Sequence, residues 1–344
     1  MAQGVSRRKG NEADICISRV LKQRATIGKD VDFHMRREII SVTLNPSIDV
    51  TLWLDGLHPD KANHVLDEAR EVGGKGINMS RVVQSFGLQN LSIAVAGEDN
   101  SKEMSQFLEM DGLRYELLPV EGAVRENLTL RADGMTVKLN RRGPALSDMM
   151  IGALMAMITS HIHPGDIVVF AGSLPENVAV QDYAELIMAV KNAGALVAVD
   201  SDLLRLEDYR RIAPWLIKPN IHELMDIVEM QGTDIAAVTA AARILNEAGV
   251  ENVMVSLGGD GIVCVSGEHT VRATVPAVEV KSTVGAGDSA LAGFVVGFVK
   301  DMPLEECVRL AAACGTASAM EDGTRLATKH TANALLGRIQ TISL

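Results

Sequence analysis

Aromatic side chains are scarce in this chain: two Trp, three Tyr and six Phe make up 3% of its 344 residues, so a site that grips a flat ligand between aromatic rings is not expected. Cysteine is scarce as well. The four present (Cys16, Cys264, Cys307 and Cys314) are scattered and form no CxxC pair, which argues against a disulfide framework or structural zinc site and makes a reducing cytoplasm the expected setting. The longest apolar run, Ala290 to Val299, has ten residues including two glycines. That is about half of the roughly 20 needed to cross a bilayer, so no membrane partner is expected. Met1 to Lys29 holds no continuous apolar stretch of the kind that drives secretion. Basic excess is missing too. Against 44 Asp and Glu stand 33 Lys and Arg, a net charge of −11, which argues against a nucleic-acid partner, because a phosphate backbone is met by a basic face. Neither GxGxxG nor GxxxxGK[ST] occurs, which weakens a Rossmann or P-loop reading.

What the chain does have is an ordinary globular balance, 47% hydrophobic and 22% charged, and length enough for one large domain carrying a small one. The first 35 residues stand apart, with seven Lys or Arg against four Asp or Glu and no sustained apolar period. Residues 1–38 are expected to be a disordered or non-native N-terminal extension and 39–344 the working domain; the acidic residues count against a targeting segment. From Ile39 onward, short β-branched runs (39–44, 91–97, 166–171, 196–200, 214–217, 252–256, 261–266) alternate with helical patterns (76–87, 101–111, 147–160, 179–193, 221–230, 234–248, 286–300, 303–319, 330–341). The alternation predicts βαβ crossovers and an α/β fold, with a mostly parallel sheet covered on both faces. Residues 47–72 and 125–140 break it. They read as strand pairs with mixed polar and apolar faces, and Ala132-Asp133-Gly134-Met135 suits a turn, so together they predict a small antiparallel sheet projecting as a lid.

The segment richest in chemistry is Ser282-Thr283-Val284-Gly285-Ala286-Gly287-Asp288-Ser289-Ala290, which runs into an apolar helical stretch. Two glycines ahead of a helix let backbone N–H groups converge on one point, where the helix dipole favours negative charge. Such a cradle can hold the charge on a transferring phosphoryl group, and Asp288 could accept the proton of an attacking hydroxyl. Taken alone, Asp288 could equally be a helix cap.

The Gly285–Ser289 segment resembles the C-terminal motif of the PfkB carbohydrate kinases, in the ribokinase-like superfamily. Other segments follow in the family's order. Thr43-Leu44-Asn45-Pro46-Ser47-Ile48-Asp49 resembles the opening strand and substrate aspartate, and Val72-Gly73-Gly74-Lys75-Gly76-Ile77-Asn78 the N-terminal glycine motif. Gly172-Ser173-Leu174-Pro175, Lys218-Pro219-Asn220 with Glu223, Ser256-Leu257-Gly258 to Gly261, and Gly323-Thr324 also match in kind and order. The resemblance spans Ile39 to Ile342 and implies a ribokinase-like three-layer α/β/α domain with a β lid.

The resemblance also implies ATP-dependent phosphorylation of a primary hydroxyl of a phosphosugar, with MgATP as cofactor. Asp288 would be the base, and Gly285, Ala286 and Gly287 would supply the amide cradle. Asp49, Gly74 and Asn78 would meet sugar hydroxyls, although the glycines could simply make a turn. Arg125-Glu126-Asn127 resembles the family's Arg-x-Asn strand, so Arg125 is expected to bind the sugar's own phosphate, with Asn127 beside it and Lys75 and Lys138 as further cations. Arg141 and Arg142 read as a solvated pair. Lys218, Asn220, Ser256, Gly258 and Gly261 would line the ATP site. Asn220 and Glu223, three apart at a helix start, would hold Mg²⁺ through water, with a surface cap as the alternative; His222 lies off their face and reads as structural. A homodimer joined through the lid is expected. Fructose 1-phosphate, giving fructose 1,6-bisphosphate, is the favoured substrate, with tagatose 6-phosphate or fructose 6-phosphate as alternatives. Ribose or a nucleoside, or a non-catalytic sugar-phosphate-binding regulator, are remoter ones.

Overall fold

Runs of β-branched residues with no polar side to offer to water become strands buried on both faces in the computed structural model, which describes residues 37–344. The strands are β1 (Ile39–Thr43), β2 (Ser47–Leu54), β3 (Val65–Gly73), β4 (Asn90–Gly97), β5 (Arg114–Val120), β6 (Arg125–Ala132), β7 (Met135–Leu139), β8 (Ile167–Ala171), β9 (Leu196–Asp200), β10 (Leu216–Ile217), β11 (Asn252–Ser256), β12 (Ile262–Ser266), β13 (His269–Thr274) and β14 (Gln340–Ser343). The helices are α1 (Lys75–Ser85), α2 (Ser101–Met110), α3 (Asp148–His161), α4 (Val180–Asn192), α5 (Leu206–Ile212), α6 (Ile221–Ile227), α7 (Ile235–Glu247), α8 (Ala286–Val299), α9 (Leu304–Ala319) and α10 (Lys329–Leu336).

Ten strands form the main sheet in the order β14-β13-β12-β11-β10-β9-β8-β1-β4-β5. It is parallel from β5 through β11 and antiparallel from there to β14. The two-residue side-chain period sorts each strand between two cores. Ile40, Val42, Val168, Phe170, Val197 and Val199 pack with α3, α4, α5 and α7 on one face. Ile39, Ile167, Val169 and Ala198 pack with α1, α8, α9 and α10 on the other. Helix–sheet–helix layering is the result, as the alternation predicted.

The four remaining strands form a separate sheet in the order β3-β2-β6-β7. Each hairpin, β2–β3 and β6–β7, is antiparallel, and the two are joined by a parallel β2–β6 pairing. Asp133 and Gly134, with φ of 50° and 75°, make the tight β6–β7 turn. Register puts Ser47, Asp49, Arg125 and Asn127 on one face and Ile48, Val50, Leu52, Leu128 and Leu130 on the other.

Several expectations need correction. Residues 1–36 lie outside the described residues, but Arg37 and Glu38 already belong to the domain: Glu38 N donates to Asp166 Oδ1 at 2.8 Å, and Ile167 N donates to Glu38 O at 2.9 Å. The helix read over 330–341 stops at Leu336, and Gln340–Ser343 pairs with the otherwise open edge of β13. β5, β13 and α5 are not among the elements read from the sequence. β5 mixes Arg114, Glu116 and Pro119 into its run and is recognisable as a strand only by its pairing with β4.

Candidate active site

Parallel strands leave their carboxyl ends along one edge of the sheet, the edge where α/β folds bind ligands. Here β9 ends on Asp200, β10 leads into Lys218, and α1, α6 and α8 are capped at Gly74, Asn220 and Gly285. Gly285 takes a left-handed φ of 74°, and a Cβ there would lie 2.3 Å from Leu326 Cδ2, so only glycine fits. A Cβ on Gly287 would sit 3.0 Å from Lys218 Nζ; its absence lets the ammonium group approach the N-terminus of α8, where Ala286 is the first residue.

Asp288 lies in the first turn of α8 and is 7% exposed. Its carboxylate does not cap the helix; Oδ2 accepts from Asn78 Nδ2 at 2.9 Å. Burial pushes its carboxyl up to about 6 and the charge of Asp200 adds to that, while Asn78, Lys75 and Lys218 pull the other way. A carboxylate poised there is a competent base near neutral pH.

Asp200, which the motifs did not flag, is buried between two lysines. Lys75 Nζ is 3.2 Å from its Oδ1 and Lys218 Nζ 3.4 Å from its Oδ2. Burial alone would raise its pKa, but Lys218 and Lys75 outweigh that and hold Asp200 ionised below the usual range. Lys75 responds in kind: burial opposes its charge, and Asp200 with Asp288 more than offsets it, raising its pKa. Oδ2 of Asp200 has no hydrogen-bond partner among the described residues, because Lys218 meets it as a charge without bonding geometry.

The four-stranded sheet supplies a second group. Asp49 Oδ1 accepts from Ser47 Oγ at 2.8 Å and Asn127 Nδ2 at 2.9 Å. A Cβ on Gly73 would come within 2.1 Å of Asp49 Oδ2, so the first glycine of the 73–76 loop makes room for this carboxylate. Arg125, part-buried, donates from Nη2 to Asn45 O at 2.9 Å and Ser173 Oγ at 3.3 Å. It forms no ion pair among the described residues. Lys138 pairs with Thr129 one row further out and is exposed, so nothing gathers it to the others. Arg141 and Arg142 are exposed and pair with Glu126 and Glu176. Thr324 Oγ1 donates to Glu71 on β3, joining the loop after α9 to this sheet.

On the other flank, Asn220 and Glu223 form a reciprocal capping box. Asn220 Oδ1 accepts from the backbone N–H of His222 and Glu223 at 2.8 and 3.0 Å, and Glu223 Oε2 accepts from Asn220 N at 2.9 Å. Both acceptor sites of the Asn220 oxygen are thereby used, and His222 is exposed. Ser256 N donates to Pro219 O at 3.0 Å, which places the β11 end beside Asn220. Gly258, with a left-handed φ of 58°, faces open space. Gly261 does not: its Cβ would lie 2.0 Å from Ala273 O, so it serves the β12–β13 hairpin. Among the described residues no three His, Cys, Asp or Glu converge as a metal cage, and no helix is long and apolar enough to cross a membrane.

The fold has close counterparts. The fold matches the crystal structure of phosphofructokinase-2 from Escherichia coli in complex with fructose-6-phosphate, with a TM-score of 0.81 and 27% identity, covering 88% of this chain and 99% of that one. The class is thus a ribokinase-like α/β kinase, a phosphotransferase with an alcohol group as acceptor. More narrowly, the chain belongs to the pfkB family of carbohydrate kinases, whose model matches residues 40–331. It is 34% identical over 309 residues to 1-phosphofructokinase of Bacillus subtilis, covering 89% of this chain and all of the relative (100%). It is 28% identical over 291 residues to tagatose-6-phosphate kinase of Staphylococcus epidermidis, covering 83% of this chain and 93% of that one.

Proposed function

We propose that the protein transfers the γ-phosphoryl group of ATP to the primary hydroxyl of fructose 1-phosphate, giving fructose 1,6-bisphosphate. The observation that carries this reading is Arg125. It is a part-buried guanidinium steered by two backbone carbonyls, Asn45 O and Pro46 O, and a serine, without a carboxylate partner, on the face that bears Asp49 and Asn127. A planar fork so placed suits a phosphate bidentately, and an unphosphorylated sugar would have no use for it. The choice of fructose 1-phosphate over tagatose 6-phosphate and fructose 6-phosphate rests on the likeness to the Bacillus subtilis relative.

In this mechanism Asp49, held by Ser47 and Asn127, accepts hydrogen bonds from sugar hydroxyls and sets the ring against α8. Asp288 takes the hydroxyl proton as the oxygen attacks in line. The N–H groups from Gly285 to Asp288, with Lys218 beside Gly287, face the charge on the transferring group. Lys218, Ser256 and Gly258 border the ATP site. Mg²⁺ on the nucleotide would neutralise phosphate charge. The unpartnered Asp200 Oδ2 and the Glu223 oxygen outside the capping box suit its water ligands, whereas Asn220 acts by orienting Glu223. The four-stranded sheet acts as a lid that closes over the sugar and keeps water from the phosphoryl group. Beyond the part packed on α2 its apolar face is open, with Leu139 48% and Met135 51% exposed, which favours a homodimer joined through this face. A cytoplasmic setting suits the three buried free thiols Cys264, Cys307 and Cys314.

Coupled ADP release with MgATP tests the proposal against fructose 1-phosphate, tagatose 6-phosphate, fructose 6-phosphate, ribose and adenosine. We expect kcat/KM for fructose 1-phosphate to exceed the others by about tenfold or more. A lead for either 6-phosphate keeps the Arg125 site and changes the substrate. Turnover only with ribose or adenosine sinks the phosphate site, and no turnover at all leaves a sugar-phosphate-binding regulator.

A further inference from the structure

An asparagine beside a catalytic carboxylate can present either its oxygen or its amide nitrogen, and only the nitrogen can donate. Resting on the reading of Asp288 as the base, we propose that Arg81 and Asp111 are positioning residues that fix the Asn78 amide with its nitrogen toward Asp288. Arg81 Nη1 lies 3.1 Å from Asn78 Oδ1. A guanidinium has no acceptor, so this contact admits the amide oxygen alone and leaves Nδ2 for Asp288 Oδ2 at 2.9 Å. Arg81 is held in turn by Asp111 Oδ2, 2.8 Å from Nε and 2.7 Å from Nη2.

The polarity of the chain is therefore set end to end. Asp111 can only accept, Arg81 can only donate, and Asn78 accepts on one side and donates on the other. The placement follows from helix geometry: Asn78 and Arg81 are three apart on α1 and share a face, and Asp111 is the C-cap residue of α2. Arg81 and Asp111 lie outside the glycine motifs, and their side chains are only 20% and 33% exposed. Arg81 also borders an open cavity of about 500 Å³, so a shorter or uncharged side chain can be accommodated there without clashes.

The consequence is a shift in pH dependence. The groups facing Asp288 are Asn78 and Lys75 from α1, Asp200 from β9 and Lys218 from the segment after β10. Releasing the amide removes the hydrogen bond that holds the carboxyl down and raises its pKa. Because the base works only when ionised, activity is present above that pKa and lost below it, so the acidic limb of the pH–rate profile moves to higher pH.

The test uses the full chain with its best phosphosugar. Arg81→Met is expected to lower kcat about tenfold, leave KM for ATP within about twofold, and move the acidic limb up by about half a pH unit. Arg81→Lys, which keeps a donor, should recover part of both. In the pair Asn78→Ala with Arg81→Met, the profile should match Asn78→Ala alone, because Arg81 acts through Asn78. A folded Arg81→Met with an unmoved limb, or losses that multiply in the pair, overturns the proposal. Should Arg81→Met fail to fold, Asp111→Asn loosens the same anchor, and its limb must move in the same direction. An Asp288→Asn variant of wild-type rate would sink the base assignment, whereas an inactive Asp288→Asn beside an unmoved Arg81→Met limb sinks only the positioning role.

Discussion

In the ten-stranded sheet, Val169 and Val199 point to opposite faces and each meets helices. In the four-stranded sheet only one end is so treated: Ile48, Val50 and Val72 pack over Met104 and Leu108 of α2, while Leu139 and Met135 stand about half exposed (48% and 51%). The first sheet is held from both sides and carries Asp200 directly and Asp288, the proposed base, through α8. The second sheet has a polar face, with Asp49, Arg125 and Asn127, and an apolar face left over. On the proposed reading, rigid placement and substrate selection sit on separate elements, and variants in each should fail differently.

The deepest failure should come from the body. Asp288→Asn is expected to lower kcat by about 10²–10⁴-fold while ATP binding, followed by titration, stays nearly unchanged. The same variant should be more stable than the parent at neutral pH. A carboxyl whose folded pKa is raised to about 6 binds more protons folded than unfolded between the ordinary carboxylate range and that value, so stability falls as pH rises through the window, and removing the charge restores it. A Tm at pH 7.5 that is a few degrees higher would be the signature; a lower Tm would mean that Lys75 and Lys218 rely on this charge.

Next comes recognition. Arg125→Ala should raise KM for the phosphosugar by about a hundredfold, with a smaller change in kcat and none in KM for ATP. An equal loss for ATP would move Arg125 out of the sugar side. The smallest catalytic effect should come from the leftover face. Leu139→Glu is expected to shift the particle mass by light scattering from dimer to monomer with little change in Tm, since the residue is already half exposed. An unchanged mass would remove this face from the interface.

Legibility in the sequence followed the range of the interaction. The Gly285–Asp288 segment was readable because a glycine pair, a helix start and a carboxylate are neighbours in the chain. So were β2, β3, β6 and β7, whose alternation and Asp133-Gly134 turn are local. Asp200 was hidden, because one aspartate closing the apolar run Leu196–Asp200 carries no signal until β9 lies beside β10 and α1 brings Lys75 to it. The need for glycine at 261 was hidden as well, because it comes from the Ala273 carbonyl across a hairpin. Asn220 and Glu223 were correctly placed at a helix start, but that placement could not say that the capping box uses the asparagine oxygen.

By itself, then, the sequence determined the layered α/β class, the detached sheet, and the elements that bear Asp288, Asp49 and Arg125, because periodicity and turn chemistry act over a few residues. Tertiary structure alone decided the Asp200–lysine cluster, the solitary Arg125 and the Asp111–Arg81–Asn78–Asp288 chain. Each brings together elements far apart along the chain, and a buried charge or an amide takes its state from whichever groups the fold sets within about 3 Å of it.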